Sequence, residues 1–459
     1  MITTATTATT FTTTATATDA LRSRFSLLSL HGQNQQRKRR IGKHSLNKTS
    51  RTSVFVVSMS MKLALVAAYR NQPHPEKIKK GGEDAWFIKP DVKGGGCLGV
   101  CDGVGGFAEQ GVDPGLYARV LAFEALKAHE VSTNVLFGGA DPKSMIIQAQ
   151  RNTKLPGAAT MCVVEIDGDR LKAANVGDSG FKVIRDAKCV FESQPSQHYF
   201  NCPFQLAYMP LSADADDANE CAEQYQFLVK EGDCVIVGSD GVFDNAFNEE
   251  LEKIVDKNVK EFGMTFKAME SCAEDIVRVS RAHAEDKTYA SPYSLEAEKY
   301  AKETGTKVNI PSGGGLFGNL TKMMGKGGGG GGGKMDDITV VCAFVGPTAQ
   351  VQSEIMKSVE LAAGLYDDLL QARNKAKGEE AKTLRTVELR KKMDQAFEES
   401  KAKQDQAKQQ EANAPTEFTR AQIDVMDSAT VRRLLQERGL PTSGKLERLQ
   451  ERLAAVKRM

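Results

Sequence analysis

The chain has a single tryptophan in 459 residues and no apolar run near the roughly 20 residues that a membrane-spanning helix needs, so no membrane span is expected. Its nine cysteines form no C-x-x-C pair and no regular framework. An odd number set in apolar runs such as Cys162-Val163-Val164 suits buried thiols rather than disulfides. Six histidines are scattered at 31, 44, 74, 129, 198 and 283, with no H-E-x-x-H, and no G-x-x-x-x-G-K-[ST] loop is present. Those absences exclude the zinc-hydrolase and P-loop readings. Charge of one sign is lacking as well: Lys+Arg is 61 against Asp+Glu 59, so any case for nucleic acid must be local.

What is present divides the chain into segments. Residues 1–61 carry one acidic residue, Asp19, against nine Lys/Arg, and eleven of the first twenty residues are threonine. A hydroxyl-rich, acid-poor tract without a continuous apolar core reads as an organelle transit peptide, with plastid the first choice and mitochondrion the second. A nuclear address at Arg37-Lys38-Arg39-Arg40 is the alternative. From 62 to 346 short apolar strands alternate with Gly and Asp turns. Hairpins are predicted at 160–176 and 226–237, further strands of the same meander at 181–192, a last strand at 338–344, and helices at 116–130 and 248–262. This order argues a layered α+β domain rather than a doubly wound parallel sheet. Residues 289–334, ending in seven consecutive glycines, are expected to form a flexible surface insertion. Residues 347–414, rich in Ala, Glu, Lys and Gln, with Ile355, Val359, Ala362, Tyr366, Leu369 and Leu370 at helical spacing, are expected to form a helical linker or coiled coil before a compact unit at 415–459.

Acidic residues stand at the ends of the apolar runs: Glu83-Asp84, Asp102, Asp178, Asp240 and Asp336-Asp337. An Asp beside Gly after a strand is, taken singly, a turn. Together, carboxylates projected from several strand ends can converge on one sheet edge, and oxygen ligands of this kind suit Mg²⁺ or Mn²⁺ rather than zinc.

Gly82-Glu83-Asp84, Val100-Cys101-Asp102-Gly103-Val104-Gly105-Gly106, Ala159-Thr160-Met161, Ala174-Asn175-Val176-Gly177-Asp178-Ser179, Gly238-Ser239-Asp240-Gly241-Val242-Phe243-Asp244 and Asp336-Asp337-Ile338-Thr339-Val340 follow one another along the chain. In that order they resemble the motifs of type 2C serine/threonine protein phosphatases. The resemblance implies a β-sandwich flanked by helices (α-β-β-α) and hydrolysis of phosphoserine and phosphothreonine proteins by direct attack of a water bound to two metal ions. It also implies that Asp102 bridges the two ions, that Asp240 and Asp336 complete one site, and that Glu83 with the Gly103 carbonyl serves the other. Asp84 would hold a metal-bound water. The chain departs from the family in two places. Lys79 stands where many members have a phosphate-gripping arginine, and Val104 where many have a histidine. These departures keep a second reading open, an organellar nucleic-acid-associated scaffold with an inactive or weakly active phosphatase-like domain.

The last segment reads as two helices, 428–437 and 445–454, around Arg438-Gly439-Leu440-Pro441-Thr442-Ser443-Gly444. It resembles the SAP motif of nucleic-acid-binding proteins. Eight Lys/Arg against three Glu over 428–459 fit contact with DNA or RNA phosphates, with Arg432, Arg433, Lys445, Arg448 and Arg452 as the candidates and a protein-docking element as the alternative.

Overall fold

The computed structural model describes residues 62–135, 140–212, 215–305, 332–412 and 418–455. The expected transit peptide, and residues 306–331 of the expected insertion, lie outside them. Ten strands build two five-stranded antiparallel sheets. One sheet contains β2 (Ala85–Pro90), β3 (Gly96–Cys101), β4 (Met161–Asp167), β5 (Arg170–Val176) and β8 (Glu223–Leu228), in the order β8-β5-β4-β3-β2. The other contains β1 (Leu63–Gln72), β6 (Gly180–Arg185), β7 (Lys188–Glu192), β9 (Cys234–Gly238) and β10 (Ile338–Pro347), in the order β1-β10-β9-β6-β7.

The inner faces meet through Leu65, Leu98, Val100, Val164, Val237 and Val341. The outer face of the first sheet is covered by α1 (Pro114–Val135) and α2 (Pro142–Asn152), through Leu121, Leu126, Met145 and Ile146. A short helix, α3 (Asp240–Phe243), follows β9. The outer face of the second sheet is covered by α4 (Asn248–Phe262) and α5 (Phe266–Glu285), through Leu251, Ile276 and neighbours. Covering on both sides explains the composition: every residue of β10 is buried, and the strand is mostly Val, Ile, Phe and Ala. The fold is α-β-β-α, as the motif order implied.

The predicted strands form, but two of the predicted connections do not. The hairpin expected at 226–237 is a crossing between sheets, since β8 pairs with β5 while β9 pairs with β6 and β10. A buried carboxylate holds that corner: Asp233 accepts from Arg185 Nε and Nη2, each at 2.7 Å, and from the Lys230 amide at 2.8 Å. Likewise 181–192 does not continue the meander of 160–176. The chain changes sheets at Gly177-Asp178-Ser179, where Gly177 has φ +96°.

Residues 289–334, expected as flexible coil, contain α6 (Pro292–Thr304), capped by the Ser291 side chain accepting from the Ser294 amide, and end in buried Lys334. The stretch expected as a linker is one helix, α7 (Gln352–Ala412). Its first half belongs to the domain. Val351 and Ile355 enter the core beneath α4 and α5, Leu365 reaches the inter-sheet core, and Leu369, Ala372 and Ala376 pack with α1.

The terminal unit has its own core. After a short turn α8 (Arg420–Asp424) come α9 (Ser428–Glu437) and α10 (Leu446–Ala455), which enclose Ile423, Val431, Leu434, Leu435, Leu449 and Leu453. Asp427 caps α9 by accepting from the Thr430 amide at 2.7 Å, and Gly439 ends it with φ +68°.

Candidate active site

Antiparallel pairing places the start of one strand beside the end of the next. Ala85 lies opposite Cys101, which sets Glu83-Asp84 against Asp102, and Gly238 lies opposite Val340, which sets Asp240 against Asp336-Asp337. Stacking of the sheets brings both groups together. Asp84 Oδ2 is the tie between them, accepting from Ser239 Oγ at 3.0 Å and Thr339 Oγ1 at 2.6 Å across the sandwich. Asp178, at the sheet change, and Asp244, one residue past α3, join the same cluster through their electrostatic contact with Asp240.

Backbone shape sets two of these positions. A Cβ on Gly103 would lie 2.5 Å from the Glu83 carbonyl oxygen and 2.9 Å from that of Pro114, so only glycine lets the segment after Asp102 pass there. A Cβ on Gly241 would lie 2.0 Å from the Asp337 carbonyl oxygen. Thr160 steadies Asp102 from the neighbouring strand: its amide donates to the Asp102 carbonyl at 2.9 Å, and its Oγ1 accepts from the Asp102 amide at 3.3 Å.

Two lysines face these carboxylates. Lys77 Nζ lies 2.7 Å from Glu83 Oε2, 3.3 Å from Asp337 Oδ2 and 3.6 Å from Asp336 Oδ1. Buried Lys334 donates to Asp240 and, at 2.9 Å, to Asp244, and lies 3.9 Å from Asp336. Asn245 clamps Lys334 by its backbone: Nδ2 donates to the Lys334 carbonyl at 2.8 Å, and Oδ1 accepts from the Lys334 amide at 2.9 Å. Lys79, the expected phosphate grip, sits exposed in the 3₁₀ turn Ile78–Lys80 and contributes no ion pair to the cluster among the described residues.

The electrostatics are those of a site built for added positive charge. Burial and the neighbouring Asp337 push Asp84 well above the usual carboxylate range, and burial and Asp84 do the same to Asp102. Burial and Asp240 raise Asp178 strongly, while burial moves Asp244 up to about 7 and Asp336 up to about 6. Asp240 is held below its usual range, because burial, which would raise it, is offset by the Lys334 ammonium together with hydrogen bonds from Asp102 and the Gly241 backbone. Asp84 Oδ1 and Asp240 Oδ1 are buried without a hydrogen-bond partner. Like charges at this density ionise together only with cations among them. All the donors are oxygen, so the residues fit hard divalent ions, Mg²⁺ or Mn²⁺.

The sequence located the carboxylates and missed the cations and Asp244. Lys334 closes a glycine run two residues before Asp336, and that spacing was the signal available. Lys77 had none, since nothing local distinguishes it from Lys79 and Lys80.

No protein-family model matches the chain. It is 35% identical over 277 residues to "Probable protein phosphatase 2C 1" of Oryza sativa subsp. japonica, covering 60% of this chain and 73% of that protein. It is 34% identical over 284 residues to "Probable protein phosphatase 2C 26" of Arabidopsis thaliana, covering 62% and 84%. The solved structure of the photosystem II phosphatase PBCP matches with a TM-score of 0.50 and 32% identity, over 61% of this chain and 98% of that one. With about a third of the residues identical over 73% and 84% of these two relatives' lengths, and a sandwich whose strand ends gather carboxylates at one edge, the chain belongs to the protein phosphatase 2C family.

Proposed function

We propose that the chain removes phosphate from phosphoserine and phosphothreonine proteins with two Mg²⁺ or Mn²⁺ ions held at the carboxylate cluster, and that it does so in a plastid. The observation that carries the catalytic reading is the meeting of Glu83, Asp84, Asp102, Asp240 and Asp336 from both sheets, with two of their buried oxygens unpartnered. Asp102 stands between the groups and is the candidate bridge. Asp240 and Asp336 would complete one site, Glu83 and the Gly103 carbonyl the other. Two divalent ions bound there would supply an activated water and neutralise charge on the phosphoryl oxygens. The chain's own share is to hold the carboxylates fixed: Ser239 and Thr339 orient Asp84, and Thr160 fixes the Asp102 backbone. A cleft lined by Asp178, Lys182, Gln197, Phe243, Asp244 and Glu296 adjoins the cluster and offers room for residues flanking the phosphorylated side chain.

The test is hydrolysis of p-nitrophenyl phosphate and of a phosphothreonine peptide by residues 62–459, with and without Mn²⁺. Activity should require the ion, and Asp102→Asn should reduce turnover at least tenfold while leaving the far-ultraviolet circular dichroism unchanged. Metal-independent turnover, or an Asp102→Asn variant retaining more than about a tenth of it, a loss of under about 1.4 kcal/mol in barrier terms, would reject the assignment.

Two observations support the plastid: the acid-poor, threonine-rich start and the likeness to a photosystem II phosphatase. A nucleic-acid role for the terminal unit rests on its helix-extended-helix shape and basic excess. There the geometry divides the candidates. Arg432 donates to the carbonyls of Thr442 and, at 3.0 Å, Gly444, and Arg452 donates to those of Pro441 and, at 3.3 Å, Ser443. Both brace the link between the helices. Arg433 lies 3.9 Å from Glu437, and Lys445 and Arg448 are exposed, so these three carry the phosphate-contact proposal.

A further inference from the structure

A second cluster of ligating side chains lies under α1, away from the carboxylate edge. Cys97 of β3 and Glu165 of β4 are direct cross-strand neighbours and point to the outer face of their sheet, where His129 of α1 meets them. Cys97 stands five residues before Asp102, roughly 17 Å along the strand, so the two clusters are separate. All three residues are at least nine-tenths buried, and their ligand atoms lie within 4.8 Å of one another.

The polar atoms are only partly satisfied: Cys97 Sγ has a long contact to the Leu98 carbonyl at 4.0 Å. His129 Nε2 is 3.0 Å from Glu165 Oε2, yet neither atom has a hydrogen-bond partner, nor has His129 Nδ1. A buried imidazole nitrogen left without a partner, as Nδ1 is, costs on the order of 1–3 kcal/mol. The 3.0 Å approach of Nε2 to Oε2 is also a spacing that two ligands of one ion can take. Tetrahedral zinc, with Zn–S about 2.3 Å and Zn–N and Zn–O about 2.0–2.2 Å, spaces its ligand atoms roughly 3–4 Å apart, so a small side-chain adjustment closes the ring.

We propose that Cys97, His129 and Glu165 form a site for Zn²⁺ that ties α1 to the sheet. Thiolate, imidazole and carboxylate together select a borderline-soft divalent ion over Mg²⁺ or Mn²⁺. Burial and the Glu165 charge hold the Cys97 thiol well above its usual range, which a cation between them would reverse. Binding therefore releases the thiol proton.

The purified full-length chain, prepared without added metal, should contain about one zinc per molecule, falling below about a tenth in Cys97→Ser and in His129→Ala. Asp102→Asn should keep its zinc, which separates this site from the catalytic cluster. Cobalt(II) replacing the zinc should give a near-ultraviolet thiolate-to-metal charge-transfer band that oxygen ligation cannot produce, and the band should vanish in Cys97→Ser. Absence of both zinc and band in the unsubstituted chain overturns the proposal even if every variant misfolds. Persistence of the band in a folded Cys97→Ser variant overturns it as well.

Discussion

At the scale of the residue, Lys77 and Lys334 decide what the carboxylates do before any metal arrives. Each ammonium stands among the carboxylates proposed to hold the ions, and the Lys334 ammonium helps to keep Asp240 ionised against its burial. A metal entering beside Asp240 must displace the Lys334 head. Lys334→Met keeps the stem and removes the charge, so the Mn²⁺ concentration giving half-maximal activity should fall by roughly tenfold, equivalent to about 1.4 kcal/mol of lost competition. The metal-free variant should also melt at a lower temperature, since the buried carboxylates lose their counter-charge. A higher metal requirement would show that Lys334 assists binding instead. The same geometry separates two neighbours: Lys77→Ala should alter the Mn²⁺ requirement measurably, and Lys79→Ala should leave it unchanged. An equal effect of the two would place Lys79 at the site after all.

At the scale of the element, the boundary of the catalytic domain falls inside α7 and not before it. The Ala67 amide, in the middle of β1, donates to Ser358 Oγ at 2.9 Å, and Arg373 of α7 donates to Glu124 of α1 at 2.7 Å. Ile355, Leu365 and Leu369 are buried, and at about 1.5–3 kcal/mol per large apolar side chain their loss would cost about 5–9 kcal/mol, comparable with the whole stability of a domain. Residues 62–346 alone should therefore be insoluble or unfolded, whereas 62–390 should melt cooperatively. Circular dichroism melting of the two decides it, and a cooperative melt of 62–346 at the same temperature would show that the helix only rests on the surface. The sequence displayed the apolar stripe of α7 but not its destination, because a stripe at helical spacing fits a coiled-coil partner and a sheet-covering role equally well.

At the scale of the whole molecule, the phosphatase domain, the proposed address and the proposed nucleic-acid contact fall in separate stretches of sequence. A fluorescent protein fused to residues 1–61 should enter plastids and be processed; a diffuse cytosolic or nuclear signal would sink that reading, and a mitochondrial one would change only the organelle. The full chain should bind duplex DNA weakly through its end, with log K against log[salt] sloping near −2 to −3 for the two or three phosphates neutralised by Arg433, Lys445 and Arg448. Arg448→Ala should reduce that slope by about one, while Arg432→Ala should loosen the unit itself; no shift at tens of micromolar would make the unit a protein-docking element. Phosphate-ester turnover should not change on deleting 415–459. The sequence by itself determined the carboxylates that gather at the sheet edge, the α-β-β-α class and the helix-extended-helix end, because each is written in local spacing: Asp beside Gly after an apolar run, helical periodicity, a cap and a glycine stop. Tertiary structure alone decided that Lys77 enters the cluster, where the chain changes sheets, and that Cys97, His129 and Glu165 meet. Those depend on residues up to 260 positions apart, as Lys77 and Asp337 are, brought together by sheet register and helix packing, and separations of that size leave no trace in a local pattern.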